Sequence, residues 1–124
     1  MKKKISVVYV AGPFRNKTKL GVRRNIDRAE SISHRLWLYG YATISPHMNS
    51  GFMENSKGLG NVDMIKAYLD VVSRCDAVIL VEGWEKSEGS LLEIAKANEI
   101  GIPVYKTLQD FLQKNKEGPY ARTK

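Results

Sequence analysis

The sequence has little cysteine and no long apolar run. Cys75 is the single cysteine among 124 residues, and one thiol forms neither an internal disulfide nor a cysteine metal cluster. A membrane-spanning helix needs roughly 18 consecutive apolar residues, whereas the first apolar segment, residues 5–11, stops at Gly12 and Pro13. We therefore expect a cytoplasmic protein with no membrane partner, and we interpret Cys75 as a small buried apolar residue.

Several catalytic signatures are also missing. The sequence contains no GxxxxGK[ST], GxGxxG or HExxH motif and no Cys/His spacing that suits a metal. A P-loop kinase, a dinucleotide-binding dehydrogenase and a zinc enzyme therefore lose their usual support. We predict no cofactor and no metal site.

Acidic residues are scarce near the N-terminus. Residues 1–28 hold nine Lys and Arg residues and one acid, Asp27, so this segment supplies the net charge of +7. Such a positive field attracts phosphates, either of a small nucleotide or of a nucleic acid. Aromatic residues do not alternate with the basic run beyond Phe14, and no nucleic-acid-binding motif is present. A nucleic-acid partner is therefore the weaker alternative.

Apolar segments predict strands and helices that alternate in one domain. We predict strands at residues 4–11, 41–44, 76–82 and 104–105, which are rich in β-branched residues. Apolar residues at helical spacing predict helices at 26–39, 63–73, 91–99 and 107–114. This order predicts an α/β fold: a single-domain, Rossmann-like (flavodoxin-like) three-layer sandwich, whose parallel sheet of four to five strands has helices on both faces. The domain is expected to span residues 1–116, with a flexible polar tail at 117–124.

Three local features sharpen this prediction. Asn25 is predicted to cap the first helix and Gly40 to end it. Residues 45–62 are rich in Gly, Asn and Ser and are predicted to form a long loop. Loops of that length are usually either functional or disordered.

The segment SEGSLLE, residues 87–93, follows the most apolar strand and leads into a predicted helix. Free N–H groups and partial positive charge at a helix N-terminus suit a phosphate. Gly89 would allow a ligand close to the backbone, and Ser87 and Ser90 would supply hydroxyls. Glu93, expected in the first turn, could act as a nucleophile or general base. The spacing Ser90-x-x-Glu93 equally fits a capping box without chemistry, so both interpretations remain open.

Ligands of parallel α/β sheets bind beyond the carboxyl ends of the strands, where the strand order reverses. Three segments are predicted to converge there: residues 12–15, 45–49 and 83–93. Arg15 could hold a phosphate or be a surface residue, and Tyr9 could reach the site or belong to the core. His47 and Asn49 come from the second segment. Trp84 could stack on a base or cover the core.

Five segments together carry a family resemblance. They are YVAGPFR (9–15), SPH (45–47), CDAVIL (75–80), GWEKSEGSLLE (83–93) and GIPV (101–104). Over most of residues 5–105 the chain resembles the nucleoside 2-deoxyribosyltransferase superfamily. It is similar in particular to the small deoxyribosyltransferase-like domains of phages and bacteria, and to the 2′-deoxynucleoside 5′-phosphate N-hydrolases.

The resemblance implies a reaction and a set of roles. Glu93 matches the family's nucleophilic glutamate, which attacks C1′ of a nucleoside or nucleotide and expels the base. Water or a second base then resolves the glycosyl-enzyme. Ser87 and Gly89 match positions that bind the 5′-phosphate. The loop that lines the sugar and base matches Tyr9, Gly12, Phe14 and Arg15. The resemblance also implies a homodimer or higher oligomer.

At one position the sequence departs from the family pattern. The N-hydrolases carry an acidic residue eight positions before the aspartate that matches Asp76, and here that position is Tyr68. Asp70 is the candidate acid on this helix, although it lies about half a turn further round. Three functions are therefore weighed. They are an enzyme of the N-glycosidic bond (hydrolase or base-exchanging transferase), a non-catalytic nucleotide-binding or sensing domain, and a nucleic-acid-binding protein.

Overall fold

The fold was analysed in a computed structural model that describes residues 4–53 and 57–122. Residues 1–3 of the basic N-terminus, 54–56 of the predicted loop and 123–124 of the predicted tail lie outside the described residues.

Four short apolar segments of the described residues form the sheet. They are β1 (Val7–Ala11), β2 (Ala42–Ile44), β3 (Ala77–Leu80) and β4 (Val104–Tyr105). All neighbouring strands pair in parallel, in the order β2-β1-β3-β4. The predicted α/β class and the parallel sheet of four to five strands are confirmed, and the order of the four strands is that of flavodoxin-like sheets. It reverses between β1 and β3, which fixes where a ligand site is expected.

Five α-helices accompany the described strands. They are α1 (Lys19–Leu38), α2 (Pro46–Ser50), α3 (Met64–Val72), α4 (Glu88–Ile100) and α5 (Leu108–Lys114). None of them combines the length and the apolarity that a membrane crossing requires.

Two apolar clusters show how the helices cover the sheet. Val8 and Val10 of β1 pack with residues of α1 and α5. Tyr9 and Ala11 pack in a second cluster with residues of α3 and α4. Because neighbouring residues of a strand point to opposite faces, the helices cover both faces of the sheet. This explains why the central strands are apolar at every position.

The first helix begins about two turns before the predicted start. Thr18, not Asn25, is its N-cap, and the Thr18 hydroxyl accepts a hydrogen bond from the Gly21 N–H at 2.9 Å. Asn25 is buried within α1. Its Nδ2 donates to the Phe14 carbonyl at 3.0 Å, which anchors the turn after β1 to the helix. Gly40 ends the helix as predicted, with a φ of 90°.

The described residues of 45–62 and of the C-terminal tail form more local structure than predicted. The supposed long loop contains α2 and two short 3-10 helices, at Gly51–Met53 and Leu59–Asn61. In the tail, the Gly118 N–H donates to the Tyr39 carbonyl at 2.7 Å. The Tyr120 N–H donates to the Gly40 carbonyl at 2.9 Å. The described part of the tail is therefore tied to the end of α1.

Candidate functional site

A cavity of about 690 Å³ lies beyond the carboxyl ends of β1 and β3, where the strand order reverses. The turn after β1 (residues 12–15), α2, and residues 86–93 at the start of α4 and just before it all contribute to its lining. Residues 59–68, which comprise the segment before α3 and the first turns of α3, line another side. The three segments predicted to converge thus meet at this cavity.

Glu93 and Tyr9 form a buried pair at the cavity. Tyr9 of β1 is fully buried, and its hydroxyl donates a hydrogen bond to Oε2 of Glu93. The Glu93 side chain lines the cavity, although the residue is only 9% exposed. Burial and the neighbouring Glu93 raise the pKa of Tyr9 above its ordinary value of 10.0. Tyr9 therefore remains a neutral hydrogen-bond donor at physiological pH.

The carboxyl group of Glu93 titrates near neutrality. Burial raises the pKa of Glu93 from 4.5 to about 7, although the hydrogen bond from Tyr9 acts in the opposite direction. Both the protonated and the ionised form are therefore populated near pH 7. A carboxyl group tuned in this way suits nucleophilic or acid–base chemistry.

The start of α4 differs from the predicted start. Ser87 is the N-cap, and its Oγ accepts hydrogen bonds from the Ser90 N–H at 3.2 Å and from the Ser90 hydroxyl at 2.9 Å. Glu93 consequently lies in the second turn of α4, not in the first. The capping-box interpretation of Ser90 and Glu93 is wrong, because the helix is capped by Ser87 and the Glu93 carboxylate binds Tyr9.

The N-terminal end of α4 gives one part of the cavity a positive character. Ser87, Gly89 and Ser90 line it, and a Cβ added to Gly89 would meet no atom within 4 Å. Lys86 and Arg15 bring cationic side chains to the same cavity, and Asp63, Glu88 and Glu93 bring carboxyl groups. Helix N–H groups with nearby cations are a common arrangement for binding phosphate. Lys86 was not predicted, although its position directly before a serine N-cap was a usable signal.

His47 fixes the turn that follows β1. The residue is 2% exposed, and its Nε2 lies 2.7 Å from the Pro13 carbonyl oxygen. Because a carbonyl only accepts, Nε2 carries the proton. Burial lowers the pKa of His47, so the ring is neutral. The Phe14 ring packs against it in an edge-on arrangement at 5.7 Å. His47 thus links α2 to the turn that carries Phe14.

Four predicted site residues are not among the described residues that line the cavity. They are Tyr9, which is fully buried and binds Glu93, and Asp70, Trp84 and Asn49. Asp70 lies about half a turn from the face of α3 that meets the cavity, so its side chain is exposed. It pairs with Arg74 at 3.4 Å. Its prediction as the catalytic acid is corrected accordingly. Trp84 packs against the apolar cluster under α3 and α4. Asn49 does not line the cavity but donates to the Tyr68 hydroxyl oxygen at 3.0 Å.

Tyr68 occupies the position on α3 at which the similar N-hydrolases carry an acidic residue. It lines the cavity, and its hydroxyl oxygen lies 2.5 Å from Oγ of Ser50. Tyr68 lies four residues after Met64 and four before Val72, at apolar positions with helical spacing, so its orientation could be predicted. The contact with Ser50 was not, because α2 was not predicted. Within the described ranges, no group of three or more His, Cys, Asp or Glu side chains is arranged to hold a metal ion.

Comparison with known sequences places the chain in a family without defining its activity. No curated protein is similar enough to be matched with it. The profile of one family, described as a domain of unknown function, matches residues 6–107. This range contains all four described strands and every described residue that lines the cavity. The chain therefore belongs to the DUF7768 family of domains of unknown function.

Proposed function

We propose that the protein cleaves the N-glycosidic bond of a nucleoside or nucleotide, with Glu93 as the nucleophile. The observation that carries this proposal is a buried carboxyl group that lines the cavity, is bound by Tyr9 and has a pKa of about 7. Glycoside-cleaving enzymes use such carboxylates against an oxocarbenium-like transition state. The resemblance to the nucleoside 2-deoxyribosyltransferase superfamily supports the same role for Glu93.

The Tyr9–Glu93 hydrogen bond suggests how the two carboxylate oxygens divide their tasks. Tyr9 donates to Oε2, which leaves Oε1 to attack C1′. The C1′–N bond breaks as the new C1′–O bond forms, and the base departs. Water then releases the sugar if the protein is a hydrolase, or a second base accepts it if the protein is a transferase.

The positive end of the cavity supports a 5′-nucleotide as the substrate. Ser87, Gly89 and Ser90 present the N-terminus of α4, and Lys86 and Arg15 add cations. A phosphate held there would fix the sugar relative to Glu93, which lies one turn further along the same helix. The volume of about 690 Å³ lies within the usual range for small-molecule sites.

The test is the release of free base from a panel of nucleosides and 5′-nucleotides, followed by chromatography. The wild-type protein is expected to release base from at least one substrate, and faster from the 5′-nucleotide than from the matching nucleoside. Adding a second base distinguishes a transferase, which forms a new nucleoside, from a hydrolase. Intact nucleotide binding with no base release from any substrate would contradict the enzyme and favour a nucleotide-binding domain.

Gly89→Ala is expected to leave the fold intact and to weaken binding of the 5′-phosphate. The added methyl group meets no protein atom within 4 Å, and Ala is favoured over Gly inside helices by about 1 kcal/mol, so the melting temperature should not fall. The methyl group would nevertheless fill space that a phosphate needs to reach the helix N–H groups. We expect KM for the 5′-nucleotide to rise about tenfold, equivalent to ~1.4 kcal/mol.

The matching nucleoside provides the control for this variant. Because it lacks the phosphate, its KM should change little in Gly89→Ala. Equal changes in KM for the nucleotide and the nucleoside would argue against a phosphate site at the start of α4.

We further propose a cytoplasmic location and a homo-oligomer. Cys75 is a buried free thiol whose pKa burial raises to about 11, which suits a protein that does not rely on disulfides. Val62 and Ile65 are about half exposed at the rim of the cavity (51% and 45%), as expected if a second subunit covers them.

A further inference from the structure

The geometry points to Tyr68 as the group that protonates the leaving base, an inference that rests on the proposed function. When the C1′–N bond breaks, its electron pair moves onto a nitrogen of the base. A base leaves far more readily when a positioned acid supplies a proton at that moment. Glu93 attacks the sugar in its ionised form, so the acid must be a different group.

Tyr68 lies on the same side of the sheet as Glu93. It belongs to α3 and Glu93 to α4, two helices that cover one face of the sheet. The Tyr68 ring packs against the cluster that contains Tyr9, the partner of Glu93. Both Tyr68 and Glu93 line the cavity. A nucleoside bound there would have its sugar at Glu93 and its base within the part of the cavity that α3 encloses.

The other titratable groups of the described cavity lining are poorly suited to this role. The Asp63 carboxylate caps α3 by accepting the Lys66 N–H at 2.9 Å. Glu88 lies at the start of α4, beside the proposed phosphate. Neutral His47 uses its one N–H on the Pro13 carbonyl, so it has no proton to give. Lys86 and Arg15 also line the cavity, and their cationic side chains are suited to binding a phosphate.

Two polar side chains surround the Tyr68 hydroxyl group. Nδ2 of Asn49 donates to the hydroxyl oxygen at 3.0 Å, and Oγ of Ser50 lies 2.5 Å from it. The Ser50 hydroxyl also lies 3.4 Å from the Pro46 carbonyl oxygen, to which it can donate instead. When a base is bound and Ser50 turns its hydrogen to Tyr68, both neighbours direct hydrogens at the Tyr68 oxygen. The Tyr68 proton can then point to the base, and the two donors stabilise the phenolate that remains. This arrangement also explains why Asn49 and Ser50 contact α3 although neither is part of it.

The step balances without a co-reactant other than water. Oε1 of Glu93 forms a bond to C1′, the C1′–N bond breaks, and the base nitrogen takes the proton from the Tyr68 hydroxyl. Water then attacks C1′, and the C1′–O bond to Glu93 breaks with its electron pair returning to the carboxylate. The Tyr68 phenolate takes the proton that the water loses. The enzyme is regenerated, and the products are the free base and the free sugar or sugar phosphate.

The test compares Tyr68→Phe with the wild type on two substrates that share one sugar. The first is the best substrate of the panel. The second carries a 4-nitrophenoxy group at C1′ in place of the base, and this group leaves as 4-nitrophenolate without needing a proton. We expect kcat/KM for base release to fall about 10²-fold or more, the usual contribution of a general acid. Release of 4-nitrophenolate should stay within about threefold of the wild-type rate, since only the leaving group's need for a proton separates the substrates.

Two control variants separate this role from alternatives. Tyr39→Phe, at an exposed tyrosine at the end of α1, should leave both rates unchanged. Glu93→Gln should lose both. Equal loss of both rates in Tyr68→Phe would indicate a structural role, and an unchanged rate of base release would show that Tyr68 is not the acid. Either result overturns the proposal for Tyr68.

Base release by the wild type and its variants distinguishes failure of this proposal from failure of the proposed function. A wild type that releases base, loses that activity in Glu93→Gln and keeps it in Tyr68→Phe would retain the proposed function and overturn the role of Tyr68. A wild type that cleaves neither substrate would overturn the proposed function and this inference together.

Discussion

Glu93→Gln is expected to abolish base release while making the protein more stable at pH 8. Glutamine cannot form the glycosyl ester, so the rate should fall at least about 10³-fold, as when other enzymes lose a nucleophile. The amide can still accept the hydrogen bond from Tyr9 through its oxygen. The cavity should therefore keep its shape, and nucleotide binding should persist in the variant.

The gain in stability follows from the raised pKa of Glu93. Burial raises that pKa from 4.5 to about 7, so between these values the folded protein binds more protons than the unfolded chain. The free energy of unfolding therefore decreases as pH rises from about 4.5 to about 7, and it stays lower above that range. The shift corresponds to about 3 kcal/mol of stability lost when Glu93 is ionised. Glutamine is neutral at every pH and avoids this loss.

Urea denaturation at pH 5 and pH 8 measures this effect. Wild type and Glu93→Gln should differ little at pH 5, and the variant should be more stable by about 3 kcal/mol at pH 8. Glu99→Gln provides the control, because Glu99 is an exposed residue of the same helix that pairs with Lys96 at 3.6 Å. A Glu93→Gln variant that is less stable than the wild type at pH 8 would indicate a structural carboxylate.

Much of the fold could be predicted because it depends on local patterns. The β-branched runs of β1 and β3 and the glycine that ends α1 were sufficient for the parallel sheet and its helices. The start of α1 was not predicted, because the apolar stripe weakens in its basic first turns and Thr18 resembles loop sequence. The short helix α2 was missed for a similar reason: five residues that follow Ser45 show no helical period.

The candidate site was only partly predictable, because its key contacts join distant segments. Local sequence singled out Glu93, but its partner Tyr9 lies 84 positions away and the hydrogen bond between them depends on the packing of α4 on β1. Asp70 was chosen for its charge, whereas helical phase places Tyr68 at the cavity. Residue type thus identified the chemistry, and tertiary structure decided which side chain could take part.

Gly12→Ala is expected to destabilise the fold at the carboxyl ends of β1 and β3, beside the cavity. A Cβ at Gly12 would lie 2.4 Å from Cβ and 2.8 Å from Cγ2 of Val81, a residue that is 1% exposed. The Val81 N–H donates to the Ala11 carbonyl at 2.8 Å, so Val81 cannot withdraw without disturbing the ladder between the strands. Overpacking of this kind costs about 1–3 kcal/mol, and more where the backbone must shift.

We therefore expect Gly12→Ala to lower the free energy of unfolding by about 3 kcal/mol and the melting temperature by about 10 °C. Gly89→Ala is the matched control, since its added methyl group meets no protein atom. A Gly12→Ala variant as stable as the wild type would mean that β1 and β3 can separate freely at their carboxyl ends. If the clash operates, the turn with Phe14 and Arg15 must move, and base release should fall even at temperatures where the variant remains folded.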